Sequence, residues 1–440
     1  MLARYIPVIS LAIAASSVSA QSLAPAVGTD SRQSVAPNPS TVTRTNSPLT
    51  LEDILGLAAQ SNPAFRGARA DADASTGTFI QAGARPNPEL SFLQEGSGNT
   101  ERTTTALLNQ TIELGGKRRA RLDVASYGRE VALATLDGRA AALRSQIIAA
   151  FYGLLAAQRQ QQVAAETAAI AARSADLADK RSRAGKVSPV EATRAKVAAS
   201  GAQIELANAT TRVSTAAEKL ATATGDAALR EHAVIGDLES IPAVEPLSLL
   251  LARIEDSPLS RASKAEMMRS HAAISVERAK RIPDVTVSAG MKHVVTGGVP
   301  FNQAVIGVSI PLPIFDTNKG ALLEAVHRAE KASADFDNEK AALRLELTQT
   351  YASYKTAKHE AERLKSEVLP TARDALDATS RGYELGKFAF LDVLDAQRTL
   401  SSEQSRYVQA LTDAHLAYAD LGRLMGTPLP SLASPISTQR

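Results

Sequence analysis

Two stretches near residue 300 alternate apolar and polar residues with a period of two. In DVTVSAGMK (Asp284–Lys292), Val285, Val287, Ala289 and Met291 share one face; Asp284, Thr286, Ser288 and Lys292 share the other. In AVIGVSIPL (Ala304–Leu312), Ala304, Ile306, Val308 and Ile310 oppose Val305, Gly307 and Ser309. A weaker pair, PELSFLQE and TTALLNQTIE, flanks the polar loop GSGNTER (Gly96–Arg102). Such alternation predicts strands of about nine residues with one apolar and one wet face. Two hairpins follow, over about residues 88–112 and 284–312. Hairpins packed on helices and hairpins set in a membrane both fit this pattern.

The rest of the chain has a different rhythm. No proline falls between Pro88 and Pro189, Pro189 and Pro242, Pro313 and Pro370, or Pro370 and Pro428. Those stretches are rich in Ala, Leu, Glu, Gln, Arg and Lys, the strong helix formers. They predict helices of about 30 to 60 residues, against a usual mean near 11–12. Helices of that length need coiled-coil-like packing, and the many alanines let neighbours come close.

The same unit is written twice. PLTLEDILGLAAQSNP recurs as PLSLLLARIEDSP, NPELSF as IPDVTV, TIEL as SIPL, and the glycine–lysine turn GKVSPVEATRAK as GKFAFLDVLDAQ. The spacing between copies is 198, 195, 198 and then 201 residues. Matches in one order with so little drift mark a duplication, with repeats at 49–235 and 236–428 and a tail at 429–440. Thr50, with Asp53 three residues on, is placed to cap the first helix.

Composition narrows the class. A net charge of +3 on 440 residues gives no reason to expect a nucleic-acid partner. Residues 1–20 read as a secretory leader, with Arg4, an apolar run from Ile6 to Ala15 and a Val18-Ser19-Ala20 cleavage site. As a membrane anchor that run would be short of the ~20 residues needed to span. Residues 21–48, rich in Ser, Thr and Pro, read as a flexible lead-in. No cysteine is present, which removes disulfides and thiolate metal sites. No other run reads as a transmembrane helix, so any membrane insertion would use strands. Four strands are too few to close a barrel, whereas three chains would supply twelve, within the known range.

The duplicated helix–hairpin–helix plan and the segment LGKFAFLDVLDAQRTL (Leu385–Leu400) resemble the TolC family of outer-membrane efflux ducts, over about residues 48–427. Three segments resemble the branch serving cobalt–zinc–cadmium and copper–silver exporters: RPNPELSF, QTIELGGKRRAR and IPLPIFDTNKG. The resemblance implies a mainly α chain that lends four strands to a trimeric, twelve-stranded outer-membrane barrel. A long periplasmic α-helical barrel would continue it. It implies a homotrimer, a periplasmic adaptor (membrane fusion) protein, an inner-membrane RND pump, and no enzymatic activity or cofactor. The alternatives are the same duct exporting drugs or secreted proteins, and a periplasmic helical adaptor without a pore.

Gly185 and Gly386 suit the left-handed residue that ends a helix. Ser188, Pro189 and Glu191 form the pattern of a capping box, and Asp392 is the matching acid of the second copy. Asp395 has Arg194 as its counterpart and is not explained by capping; it shares a helix face with Asp392. By the resemblance, Asp392 and Asp395 line a periplasmic gate, and the tips at Gly185, Lys186, Ser188, Gly386 and Lys387 dock the adaptor. Glu324 and His327 have the spacing of a carboxylate-bridged metal site, but no second pair completes one. The basic run GGKRRAR (Gly115–Arg121) is placed to meet anionic lipid headgroups.

Overall fold

The computed structural model describes residues 48–429, so the leader and nearly all of the lead-in lie outside the described residues. The first repeat runs α1 (Leu51–Ser61), α2 (Pro63–Ala82), β1 (Glu89–Glu95), β2 (Glu101–Ile112), α3 (Lys117–Arg183), α4 (Pro189–Thr224). The second runs α5 (Leu247–Arg253), α6 (Pro258–Lys280), β3 (Val285–Thr296), β4 (Val299–Ser309), α7 (Lys319–Arg363), α8 (Leu369–Glu384), α9 (Phe390–Met425). Matching starts have matching causes. Asn62 and Ser257 cap α2 and α6, and each is followed by a proline at the first helical position, where a missing N–H costs nothing. At α1 the predicted capping box forms: Asp53 accepts the Thr50 N–H at 3.0 Å.

The four strands form one antiparallel sheet in the order β1-β2-β3-β4. β2, β3 and β4 run 12, 12 and 11 residues, longer than the alternation alone predicts, because backbone pairing continues past it through His293–Thr296. Register places Val287, Ala289 and Met291 beside Val308, Ile306 and Ala304 on one face. Ala106, Leu108, Leu90 and Phe92 extend that face across β2 and β1. It is uncovered: Phe92 is 70% exposed and Ile306 82%. The opposite face is polar and bonded across strands, with Ser288 Oγ donating to Asn109 at 2.7 Å and Asn109 Nδ2 to Ser91 at 3.1 Å.

The helices α4, α7 and α9, of 36, 45 and 36 residues, match the expected lengths, and α3 exceeds them. α3 is 67 residues long, and Pro370 does not end a helix. A π turn at Leu364–Val368 joins α7 to α8, and its wider loop relieves the clash between the proline ring and the preceding carbonyls. One 18-residue window of α3 reaches a mean hydropathy of 1.4, so the expectation of no membrane-length apolar stretch needs correcting. Half of that window is buried, and α3 packs on α4, α6 and α9. Its apolarity is that of a core helix. Leu429, assigned above to the tail, is fully buried with Ile54, Phe151 and Leu220.

The basic run has a different role from the one expected. Arg118 Nε donates to the Gly83 carbonyl at 2.6 Å, and Arg121 binds Glu113 and the Ala84 carbonyl. Lys117 pairs with Asp284 at 2.7 Å. These cations staple the strand-to-helix linkers together, which leaves Arg119 as the free one of the four among the described residues.

His415 is fully buried in the helical body, stacked on Tyr152 with ring centroids 3.6 Å apart. Its Nε2 lies 2.9 Å from the Leu238 carbonyl, which can only accept, so Nε2 carries the proton and Nδ1 is left without a partner among the described residues. Burial holds its pKa below the ordinary histidine value. A depressed histidine destabilises the fold as pH falls, because the unfolded chain takes up the proton first. Unfolding in detergent, followed by circular dichroism, is therefore expected to show stability falling below about pH 6.5, and a flatter profile for His415→Gln. Phe151→Ala, which empties a core site, is expected to cost about 3–5 kcal/mol in the same assay.

Candidate functional site

The two glycine–lysine turns lie together at one end of the helical body. Each closes its helix in the same way. Gly185 has φ +69° and Gly386 φ +75°. The Lys186 N–H reaches the Arg181 carbonyl at 2.9 Å, and the Lys387 N–H reaches the Gly382 carbonyl at 2.8 Å. Gly185 and Gly386 complete the motif with bonds to Ser182 and Tyr383. This is the Schellman arrangement, and only glycine enters the left-handed region without a Cβ penalty. Gly185, Lys186, Ser188, Gly386 and Lys387 are all exposed.

The following helix starts differ between copies. Ser188 caps α4 through the Val190 N–H at 3.3 Å. The expected return bond from Glu191 to the serine backbone is not made, because Glu191 instead accepts the Tyr383 hydroxyl at 2.8 Å. At α9, Ala389 has no side-chain acceptor, and Asp392 alone acts as the cap, taking the Ala389 N–H at 2.9 Å. Asp395 has no partner for its carboxylate among the described residues; its backbone carbonyl accepts from Thr399. Both acids are exposed, while Val393 and Leu394 between them are buried against Ala195, Leu376 and Phe390. The D-V-L-D spacing follows: the apolar pair anchors the helix, and the acids stay outside on the other side.

Tyr383 is a site residue that sequence reading missed. Its carbonyl accepts from Arg181 at 2.9 Å, the Arg181 guanidinium lies 4.6 Å from its ring centroid, and Phe390 packs 5.5 Å away. One tyrosine thereby ties α8 to α3, α4 and α9. Burial, then the bond to Glu191, pushes its pKa up to about 12, so the phenol stays a donor throughout the physiological range. The signal available in the sequence was the unusual apolar cluster Tyr383, Phe388 and Phe390 around the turn. Phe388 lies over Gly382, where an added Cβ would sit 2.0 Å from the ring. Between α4 and α9 runs a groove of 890 Å³ lined by Val190, Val197 and Leu391, with Arg194 and Arg398 among its lining.

The other candidates separate. Glu324 pairs with Arg328 at 2.5 Å and His327 with Glu330 at 2.8 Å, so the two do not converge on a common site.

Comparison with known proteins places this geometry. The family described as outer membrane efflux protein matches the chain twice, over residues 54–226 and 251–427. The chain is 41% identical to the cobalt-zinc-cadmium resistance protein CzcC of Cupriavidus metallidurans, over 86% of this chain and 90% of that protein. It is 28% identical to the nickel-cobalt-cadmium resistance protein NccC of Alcaligenes xylosoxydans xylosoxydans, over 58% of this chain and 59% of that one. Among solved structures, the outer membrane protein VceC of Vibrio cholerae shares the fold at a TM-score of 0.73 and 20% identity, covering 86% of this chain and 96% of that one. The exposed apolar sheet, the long helices and the paired tips are thus those of an outer-membrane channel with a helical periplasmic part, and the chain belongs to the outer membrane efflux protein family.

Proposed function

We propose that this chain is the outer-membrane duct of a tripartite pump exporting heavy-metal cations, and that it works as a homotrimer with no catalytic activity of its own. The observation that carries the duct is the four-stranded sheet, with one uncovered apolar face and an unpaired edge at each side. In lipid such edges need partners, and three copies would close twelve strands. The cargo rests on the 41% identity to a cobalt-zinc-cadmium resistance protein over most of both chains. A periplasmic adaptor would dock on the exposed tips at Gly185–Ser188 and Gly386–Lys387, and an inner-membrane proton-driven pump would supply the work.

Asp392 and Asp395 form the gate in this reading. Three chains with two acids each would place six carboxylates around one axis, a ring whose field attracts cations and resists anions. The bond from Tyr383 to Glu191 holds the second tip against the first, and so holds the entrance narrow.

Purified Asp392→Ala/Asp395→Ala channels in planar bilayers are expected to conduct severalfold more than wild type and to lose cation selectivity. Unchanged conductance would end the gate assignment. Tyr383→Phe removes one hydroxyl from a partly exposed acid, worth about 1 kcal/mol or less after solvent screening. A smaller rise in open time is expected from it. For the cargo, a strain lacking this chain is expected to lose growth on graded cobalt, zinc and cadmium salts while keeping its resistance to a drug panel. Drug sensitivity with normal metal tolerance would leave the duct and reassign what passes through it.

A further inference from the structure

The groove between α4 and α9 lies within one chain, since α3 packs against both of its walls. Its 890 Å³ falls inside the roughly 300–1,000 Å³ of small-molecule sites. It follows α4 from Pro189 to Ala202, a length of about 20 Å at the helical rise per residue. Val190, Val197 and Leu391 on its walls are each more than half exposed.

Three polar groups in this groove lack partners. Arg194 on α4 and Arg398 on α9 form neither an ion pair nor a hydrogen bond among the described residues. No aspartate or glutamate lines the groove, so two like charges share one apolar space with nothing to neutralise them. The third group is Gln397, which is only 7% exposed. Its Nε2 donates to the Thr167 carbonyl of α3 at 3.2 Å. A carbonyl can only accept, so that bond fixes which end of the amide is nitrogen. Oε1 is therefore the buried end, with no donor among the described residues. The nearby threonine hydroxyls are spent on backbone: Thr167 donates to the Val163 carbonyl at 2.8 Å and Thr193 to the Pro189 carbonyl at 3.0 Å.

These groups select a ligand. Free guanidiniums favour an anion, and a carboxylate matches their fork through two parallel bonds. The valine and leucine walls favour an apolar body, which leaves water when it lies against them. The buried oxygen needs an O–H or N–H donor, because a buried acceptor left unbonded is costly. Gln397 and Arg398 are successive residues of α9, so the donor must lie within a few bonds of the carboxylate. A metal cation meets none of these demands, and Asp392 and Asp395 are outside the groove.

We propose that this groove binds an amphipathic β-hydroxy carboxylic acid, one per chain. The carboxylate sits between Arg194 and Arg398 and neutralises both. The hydroxyl donates to Gln397 Oε1, and the alkyl chain lies along α4 past Val197. Because one arginine comes from α4 and the other from α9, the bound acid ties the helix of the first tip to the helix of the second.

The probe is radiolabelled β-hydroxydecanoate, titrated into the full protein held in lipid nanodiscs, with uptake by empty nanodiscs subtracted. Saturable binding of one acid per chain is expected, weakening as salt rises. Arg194→Ala/Arg398→Ala should weaken it about tenfold or more, and so should replacing the acid by its uncharged amide. Gly201 also lines the groove, and a Cβ there would meet nothing within 4 Å. Gly201→Leu should therefore occupy the space and lower binding while every charge stays in place. Decanoate, which lacks the hydroxyl, should bind wild type several-fold more weakly than the hydroxy acid, and the two should bind Gln397→Leu alike. Uptake no greater than that of empty nanodiscs, or unchanged in the arginine variant or in Gly201→Leu, would overturn the site. Decanoate matching the hydroxy acid on wild type would overturn the contact with Gln397. Binding is read without channel activity, so its outcome is separate from that of the duct.

Discussion

A sheet of four strands has two edges, and each edge carries backbone N–H and C=O groups with nothing to bond. In water those groups are hydrated; in hydrocarbon each one left alone costs several kcal/mol. This sheet also has an apolar face with no helix over it, so water is a poor environment for one surface and lipid for the edges. Closure with further copies satisfies both. The remaining architecture follows from that constraint: helices too long for a compact domain carry the closed cross-section away from the membrane, and linkers must hand each strand to its helix without losing register.

The linkers are where the duplicated halves have drifted. In the first repeat, β2 passes to α3 through Gly115, pressed close to Ile282, and then Gly116, in a segment held by Arg118, Arg121 and Lys117. In the second, β4 passes to α7 through the longer Pro311–Asn318 segment, whose Leu312, Ile314 and Phe315 are uncovered. The tips have drifted as well. Copy one uses a serine cap and sends Glu191 across to Tyr383, while copy two has lost the serine and uses Asp392 for the cap. Duplication supplied the frame, and divergence made one tip acidic and the other a clasp.

Residue periodicity alone carried a good part of the fold. Strand alternation, proline-free helical runs, glycine at the helix ends and capping residues at the helix starts are local effects, set by backbone sterics and by which side of an element a side chain occupies. They remained readable because each acts within a few residues. The positions of Asp392 and Asp395, exposed on α9 beside a buried Val393 and Leu394, were legible for the same reason.

What the sequence could not set were the partners of groups far apart along the chain. Glu191 had a local use as a capping acid and took a distant one, because Tyr383 of the other repeat comes within 2.8 Å only in the packed tip. The basic run at Lys117–Arg121 had a plausible role at a lipid surface, yet the linkers brought carbonyls and two carboxylates to it first. Pro370 reads as a helix end, and packing along α9 keeps the helix going at the expense of a π turn. The sequence by itself determined the elements, their order and their duplication, since these follow from short-range sterics and burial pattern. Tertiary structure decided which charges and hydroxyls meet, because electrostatic and hydrogen-bond partners are chosen by distance in space, and that distance exists only once the helices have packed.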